Sequence, residues 1–354
     1  MEDRVRLLAT LEWAESVPIF AGFDGAVDGI YALIASRTAA GPERMGTIGE
    51  FARRIASAAN RSTNIERVLL EMRAGGNATL CASALQTLGH TVTLVANVGR
   101  PIHPAFNGLV EGGACVHSLG EPNRTDALEF FDGKIMLTDS GQLTTCTAAG
   151  HFPTDLGSLF AGRRAIVLTN WTMMPRGTEI FSQIFRQYLP AVSRSVPIFF
   201  DIADPARRAN DEIVALLDLL ARFAETHPIY LSVNLKELER IGGLLGGRSN
   251  ERADLAEMME KLHKRWPIEW ILHRLDGAES FGESGWHSAE GFFTAEPHTT
   301  TGGGDHFNGG FLFGLLAGLP RPLALCMGNA ISGAYVRSGK SPNRSELREF
   351  LLAN

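Results

Sequence analysis

The chain has 354 residues, of which 45% are hydrophobic and 20% charged, a composition that excludes a disordered or low-complexity protein. Its 33 basic and 39 acidic residues give a formal charge of -6 with no basic block, so nucleic acid is not an expected partner. No window approaches the ~18 uninterrupted apolar residues of a spanning helix, and the start, Met-Glu-Asp-Arg-Val-Arg, lacks a secretory pattern, so the expected location is cytoplasmic with no membrane partner.

In chain order, short apolar runs rich in β-branched or aromatic residues predict strands at 17–21, 92–98, 165–169, 196–200, 229–233 and 268–272. Helical spacing appears at Ile48, Phe51 and Ile55 and again at Val68, Leu69 and Met72. It continues over 78–88, 180–189, 213–223, 255–262, 307–319 and 323–336. Parallel strands need long crossovers, which helices usually fill, so the alternation predicts a helix-flanked, mainly parallel sheet. Two stretches interrupt it. Residues 28–37 read as extended, and 128–138 as a hairpin turning at Asp132-Gly133, with a second turn at Ser140-Gly141. They form either a small secondary sheet or edge strands of the main one. No repeat or Pro/Ser-rich linker divides the chain, so one domain with an excursion is expected over residues 1–354. Cys81, Cys115, Cys146 and Cys326 form no C-x-x-C pair and signal neither a zinc knuckle nor a redox dithiol.

Glycine supplies 38 of the 354 residues, about 11% against a usual ~7%, and its densest cluster carries the chemistry. Thr299-Thr300-Thr301-Gly302-Gly303-Gly304-Asp305-His306-Phe307 runs into the stripe Phe307, Phe311, Leu315 and Leu319. Three glycines at the mouth of a helix leave backbone N–H groups unobstructed, with the positive end of the helix dipole behind them, so the loop can cradle a phosphate or a developing oxyanion. Asp305 at that mouth can take a proton from a hydroxyl; read locally, it is equally an N-cap beside a turn. Upstream, Gly75-Gly76-Asn77-Ala78 allows close approach of a ligand to the backbone and offers it an amide, or simply caps a helix. The segment leaving the first strand carries two carboxylates, Asp24 and Asp28. Asn234-Leu235-Lys236-Glu237 has the spacing of a capping box. Phe200-Asp201-Ile202-Ala203-Asp204-Pro205 reads as a strand end with an Asp-Pro turn and stands outside the expected site. His298 and His306 lack metal-binding spacing and read as loop residues. Gly333 to Ser341 has one residue too many for a P-loop, and no Gly-x-Gly-x-x-Gly follows the first strand.

Taken in order, these blocks resemble the ribokinase-like (PfkB) family of carbohydrate and nucleoside kinases, from about Gly22 to Pro342. The family's Asp-Thr-Thr-Gly-Ala-Gly-Asp-x-Phe signature is matched by Thr300, Thr301, Gly302, Gly304, Asp305 and Phe307, with Thr299 and Gly303 as departures. The resemblance implies a three-layer α/β/α sandwich with a small β lid, formed here by about 28–37 and 124–146. It implies Asp305 as general base, Gly302, Gly303 and Gly304 as an anion hole, and Asp28, Gly75, Gly76 and Asn77 as acceptor contacts. Asn234 and Glu237 would organise phosphates and Mg2+, with no direct protein ligand to the metal assigned. Gly277 and Asn329 would contact the nucleotide. ATP and Mg2+ are the implied cofactors, with room for a monovalent cation; the implied partners are a sugar or sugar-like substrate and a second copy of the chain paired through the lid. His273-Arg274-Leu275-Asp276 departs from the family's nucleotide motif, and Arg100-Pro101 stands where Asp-Asp is usual. These departures leave a sugar-binding or regulatory protein without catalysis as an alternative to the kinase, and a nucleoside kinase as another. Arg124 and Lys134 are the cations available for a phosphorylated acceptor.

Overall fold

Alternation along single strands decides the layering. In the computed structural model, which describes residues 2–145, 156–246 and 252–354, the predicted apolar runs form the centre of a nine-stranded sheet. Its order is Gly285–Glu290, Gly277–Gly282, Glu269–His273, Ile229–Asn234, Ile198–Asp201, Ala165–Thr169, Pro18–Phe23, Thr91–Ala96 and Cys115–Ser118. The seven strands from Glu269–His273 to Cys115–Ser118 are parallel, and the remaining two close one edge as an antiparallel hairpin. Successive side chains leave opposite faces. Phe20, Ile166, Phe200 and Leu231 pack into one core beneath the helix Asn210–Ala224. Ile19, Val167, Phe199 and Tyr230 pack into the other, beneath the helices Asn77–Thr87, Gly303–Leu316 and Arg321–Ser338. The result is the three-layer α/β/α sandwich that the resemblance implies. Both faces are covered, which is why the central strands read as unbroken apolar runs.

A second sheet stands apart, built on the long strand Ala26–Thr38. Asn123–Phe130 pairs with it in parallel, and Gly133–Asp139 returns antiparallel. On the other side Glu66–Gly75 lies along Ala26–Ile34, and Gly41–Arg44 continues that edge. A small core of Leu33, Met45, Leu128 and Phe130 holds it.

The excursion is therefore a separate sheet, and it is larger than the segments 28–37 and 124–146 expected from sequence; Cys146 lies outside the described residues. The helical spacing of Val68, Leu69 and Met72 is corrected to the strand Glu66–Gly75, with all three side chains substantially exposed. Pairing with a strand some forty residues earlier fixes its conformation, and local spacing carries no trace of that partner. The hairpin also turns one residue earlier than expected, at Phe131-Asp132, because Phe130 pairs with Gly133. Asp132 Oδ1 accepts from the Ile48 N–H and the Phe131 N–H donates to the Gly46 carbonyl, so contacts to the neighbouring segment set the turn.

Candidate active site

The candidate site lies at the carboxyl ends of the parallel strands, where open α/β sheets place ligands. The sequence runs outward in both directions from Pro18–Phe23 and Ala165–Thr169, so the chain order reverses between these neighbours. Asp24 stands just beyond this point. Its carboxylate accepts from the N–H groups of Asn77 and Ala78 at 2.8 and 2.9 Å, from Thr169 Oγ1 at 2.6 Å and from Asn170 Nδ2 at 2.9 Å. A buried carboxylate so placed satisfies the start of the helix Asn77–Thr87 and complements its dipole. Of the two candidate carboxylates, Asp24 is thus occupied with the scaffold. The helix takes Gly76 as its N-cap, with no side-chain cap, and the Asn77 side chain is turned elsewhere.

Asn77 Nδ2 donates to Asp305 Oδ1 at 2.9 Å, which joins the Gly75-Gly76-Asn77 block to the glycine loop across 228 residues of chain. Asp305 lies in the first turn of the helix Gly303–Leu316, whose N-cap Gly302 adopts φ 90° and provides no side-chain cap. The first N–H groups of that helix have no intrahelical acceptors. Asp305, Gly303 and Gly304 line a cleft of about 950 Å³ together with Asn77, Asn234 and Glu237. A second hollow of about 590 Å³ lies under the small sheet, lined by Arg73, Lys134 and Thr299, and Thr300 lines both. Lys134 Nζ reaches from the small sheet to Thr301 Oγ1 at 2.7 Å and Thr300 Oγ1 at 3.2 Å. The small sheet therefore touches the glycine loop directly.

Asp28 is buried near the start of its strand, paired with Arg73 in register on one side and Thr125 on the other. Burial raises its carboxyl above the usual carboxylate range, while Arg73, Thr125 and Lys134 pull the other way. A Cβ on Gly75 would stand 2.6 Å from Asp28 Oδ2, so this glycine makes room for the carboxylate. Gly76 has φ 96°, and a Cβ there would stand 2.9 Å from Gly25 Cα. Both glycines are required by the packing of the two strands, whether or not a ligand is bound.

Asn234 and Glu237 form the capping box that their spacing predicts: Glu237 N–H donates to Asn234 Oδ1 at 3.0 Å, and Asn234 N–H donates to Glu237 Oε2 at 2.9 Å. Both also line the cleft. Burial, then the nearby Asp201, pushes the Glu237 carboxyl up to about 8 against the Asn234 hydrogen bonds. Asp201, which sequence reasoning left out, lines the same cleft; it accepts from the Ala203 N–H at 2.9 Å and from Asn308 Nδ2 at 2.7 Å. Burial lifts its carboxyl to about 6 despite those two bonds, and Asp24 adds to the rise. Its position at the end of a buried strand was the available signal, masked by the Asp-Pro turn that follows. Asp305 is pushed well above the carboxylate range by burial and by Asp201 and Asp24, with the Asn77 amide acting against the shift.

The nucleotide candidates separate. Asn329 lines the cleft, but its Nδ2 donates to the carbonyls of Ala289 and Glu290 at 3.3 and 3.0 Å, tying helix to hairpin. Gly277 begins a hairpin strand, and a Cβ there would stand 2.7 Å from the Ala289 carbonyl, so sheet packing accounts for it. Its neighbours His273, Arg274, Leu275 and Asp276 line the cleft instead. His306, expected in a loop, is a fully buried helix residue.

These carboxylates give a signed pH expectation for the ligand-free protein. A carboxyl raised in the fold binds its proton more tightly there than when unfolded, so its contribution to stability is lost as pH rises through the folded value. His90, His273 and His306 are lowered by burial to about 4 and act oppositely, depressing stability below their ordinary 6.5. Above pH 6.5 those histidines are neutral in both states, while Glu237 still has its proton to lose near 8. The melting temperature is therefore expected to fall from pH 6.5 towards pH 8.5. A scan of thermal unfolding without nucleotide or divalent cation checks this; a rise across that window would contradict it.

Known proteins resemble this chain over nearly its whole length. The family model described as prokaryotic ketohexokinase matches residues 10–353. A ketohexokinase of Haloferax volcanii is 29% identical over 365 residues, covering 98% of this chain and 96% of the relative. The ribokinase of Thermotoga maritima superposes with a TM-score of 0.66 at 15% identity, covering 96% of this chain and 99% of that one. Arabidopsis thaliana ribokinase, solved with ribose and ATP, gives 0.66 at 16% identity over 95% of this chain and 99% of that one. At such identities the structural likeness speaks for the fold.

Proposed function

The chain belongs to the prokaryotic ketohexokinase family, and from that premise we propose that it transfers the γ-phosphoryl group of ATP to a hydroxyl of a ketohexose, with Asp305 as general base. It is an ATP-dependent carbohydrate kinase; the ketohexose and the residue roles are our reading. One observation carries these roles: Asp305 sits at an uncapped helix N-terminus, held by Asn77, beside Thr300, where the large cleft meets the hollow under the small sheet. The large cleft takes the nucleotide and the hollow takes the sugar. Asp305 removes the proton from the acceptor hydroxyl, whose oxygen forms the new bond to the γ-phosphorus as the bond to the bridging oxygen of ADP breaks. The N–H groups of Gly302, Gly303 and Gly304 receive the charge on the transferring group. Positioning by Asp28 and Asn77 orients the acceptor, and the small sheet acts as the lid of a single domain, excluding water when Lys134 lies against Thr300 and Thr301.

Mg2+ accompanies ATP, and the oxygen chemistry of the cleft fits it. Among the described residues no group of three or more His, Cys, Asp or Glu side chains is arranged to hold a metal directly. The Asn234–Glu237 pair and Asp201, which line the cleft, would hold the ion through its water shell. When bound, the cation neutralises developing phosphate charge. A monovalent cation enters only as an activator, tested by comparing rates in potassium and tetramethylammonium salts; equal rates would remove it. Asn329 supports the nucleotide cleft by fixing the hairpin, and Gly277 serves the packing of that hairpin in place of a nucleotide contact.

The outer strand Glu66–Gly75 exposes Val68, Leu69, Leu70 and Met72, and we assign this edge to a second copy of the chain. Light scattering that gives the mass of one chain at working concentration would remove that assignment. Among the described residues no helix is long and apolar enough to cross a membrane. Free thiols at Cys81 and Cys115 suit a reducing cytoplasm, where we place the protein. The non-catalytic alternative is not favoured, because the family model and the curated relative that match this chain are both ketohexokinases.

Gly75→Ala tests the acceptor side, because the new Cβ displaces the Asp28 carboxylate. Losing a hydrogen bond to a charged group costs about 1.5–3 kcal/mol, so KM for the sugar should rise about ten- to a hundredfold with KM for ATP unchanged. An unchanged sugar KM would free Asp28 from its role. For the acceptor itself, ADP release should be compared across ketohexoses, aldoses, polyols, sugar acids and nucleosides. A ketohexose should give the highest kcat/KM, and a clear preference for an aldose or a nucleoside would overturn the assignment.

A further inference from the structure

We propose that His306 and Tyr335 are positioning residues of the anion hole: as a stacked pair they clamp the two loop carbonyls behind it, fixing and polarising the peptide N–H groups that meet the transferring phosphoryl group. This rests on the reading of Gly302, Gly303 and Gly304 as that hole. The two rings lie parallel within 11°, their centroids 3.5 Å apart. Tyr335 Oη donates to the Thr301 carbonyl at 3.1 Å, and His306 Nδ1 donates to the Gly302 carbonyl at 2.7 Å. In a trans peptide the carbonyl and the following N–H point in opposite directions. Holding the Thr301 and Gly302 carbonyls on the helix side therefore turns the N–H groups of Gly302 and Gly303 the other way, and Gly303 lines the cleft.

The hydrogen-bond direction is fixed by valence. A carbonyl only accepts, so Nδ1 carries the proton, and burial keeps the ring neutral by lowering its pKa to about 4. Nε2 must then accept from the Ser341 hydroxyl, 2.7 Å away, and Ser341 Oγ lies 2.8 Å from Ser83 Oγ. Ser83, Ser341 and His306 thus form a file of donors all aimed at one carbonyl. The Gly302 carbonyl also accepts the helical bond from the His306 N–H at 3.1 Å. Two bonds on one carbonyl draw density from its peptide and strengthen the Gly303 N–H as a donor. The loop glycines leave no side chain to do this work, and a Cβ on Gly302 would strike Tyr335 Oη at 2.9 Å.

Two variants test the clamp through different atoms. His306→Phe keeps a ring against Tyr335 and removes both hydrogen bonds; Tyr335→Phe keeps the stack and removes the bond to Thr301. Deleting an oxyanion donor outright costs about 10²–10³ in kcat, so loosening one should cost about tenfold or more in each variant. KM for ATP and for the sugar should stay within about twofold, since these donors act on the transition state. The affinity for a transition-state mimic, Mg-ADP with aluminium fluoride in the presence of the sugar, should fall by the same factor as kcat. His306→Asn, which returns an amide donor near the Nδ1 position, should recover part of both. A normal kcat in either phenylalanine variant would overturn the clamp, as would a loss carried by KM or by a lower melting temperature with mimic affinity unmoved. Failure of the unmutated protein to bind the mimic would instead remove the anion-hole reading beneath it.

Discussion

Asp305→Asn is expected to lower kcat by about 10²–10⁴, the range for losing a general base, with little change in KM for either substrate. The amide keeps the shape of the carboxyl and can still meet Asn77, so binding of sugar and nucleotide should survive. Its raised pKa sharpens the expectation. Burial and the neighbouring carboxylates Asp201 and Asp24 make Asp305 a stronger base than a solvated carboxylate, and activity should fall as pH drops through its pKa, because the base must be ionised to act. That acid limb should disappear from what activity the variant retains. Single-turnover measurements read the chemical step directly, and near-normal turnover on the true acceptor would remove Asp305 from its role.

Gly302→Ala is expected to reduce kcat by about 10²–10³, as loss of an oxyanion donor does, through a different physical route. Gly302 holds φ 90°, where an L side chain costs about 1–2 kcal/mol, and its Cβ would stand 2.9 Å from both Leu80 Cδ1 and Tyr335 Oη. Relief of those contacts must move the loop peptides, which are the proposed donors. Gly318→Ala is the matched control: Gly318 has φ 75° in a turn with nothing within 4 Å of the added Cβ. It should lose stability and keep kcat. Similar turnover in both variants, corrected for folded fraction, would show that the loop geometry does not serve phosphoryl transfer.

The central fold was legible because parallel strands covered on both faces are local objects, each a short apolar run followed by a helix. The small sheet was only half legible. Glu66–Gly75 presents Val68, Leu69 and Met72 at a spacing compatible with a helix turn, and its true state depends on antiparallel pairing with Ala26–Ile34. The hairpin Gly277–Gly282 with Gly285–Glu290 was not legible because neither strand carries an apolar run, and the buried one places the polar Glu279 and Ser280 inside.

Within the site, the loop from Thr300 to Asp305 could be read from sequence because its chemistry is contiguous. Asp201, Asn308 and Ser232 could not, since their hydrogen bonds join strands to a helix 76 or more residues later. Asp24 and Asp28 look alike in sequence, and only the four bonds to Asp24 separate the scaffold residue from the acceptor candidate. His306 follows Asp305 directly, yet its proposed role depends on Tyr335 and Ser341, both supplied by segments that fold back against the loop.

The most direct measurement is phosphorus NMR of the protein incubated with Mg-ATP and a ketohexose such as D-fructose. The account predicts a new phosphomonoester resonance, coupled to sugar protons, that grows in step with ADP, together with its near absence when Asp305→Asn replaces the native chain. ATP converted only to ADP and inorganic phosphate, or sugar phosphate formed equally well by both proteins, would contradict it.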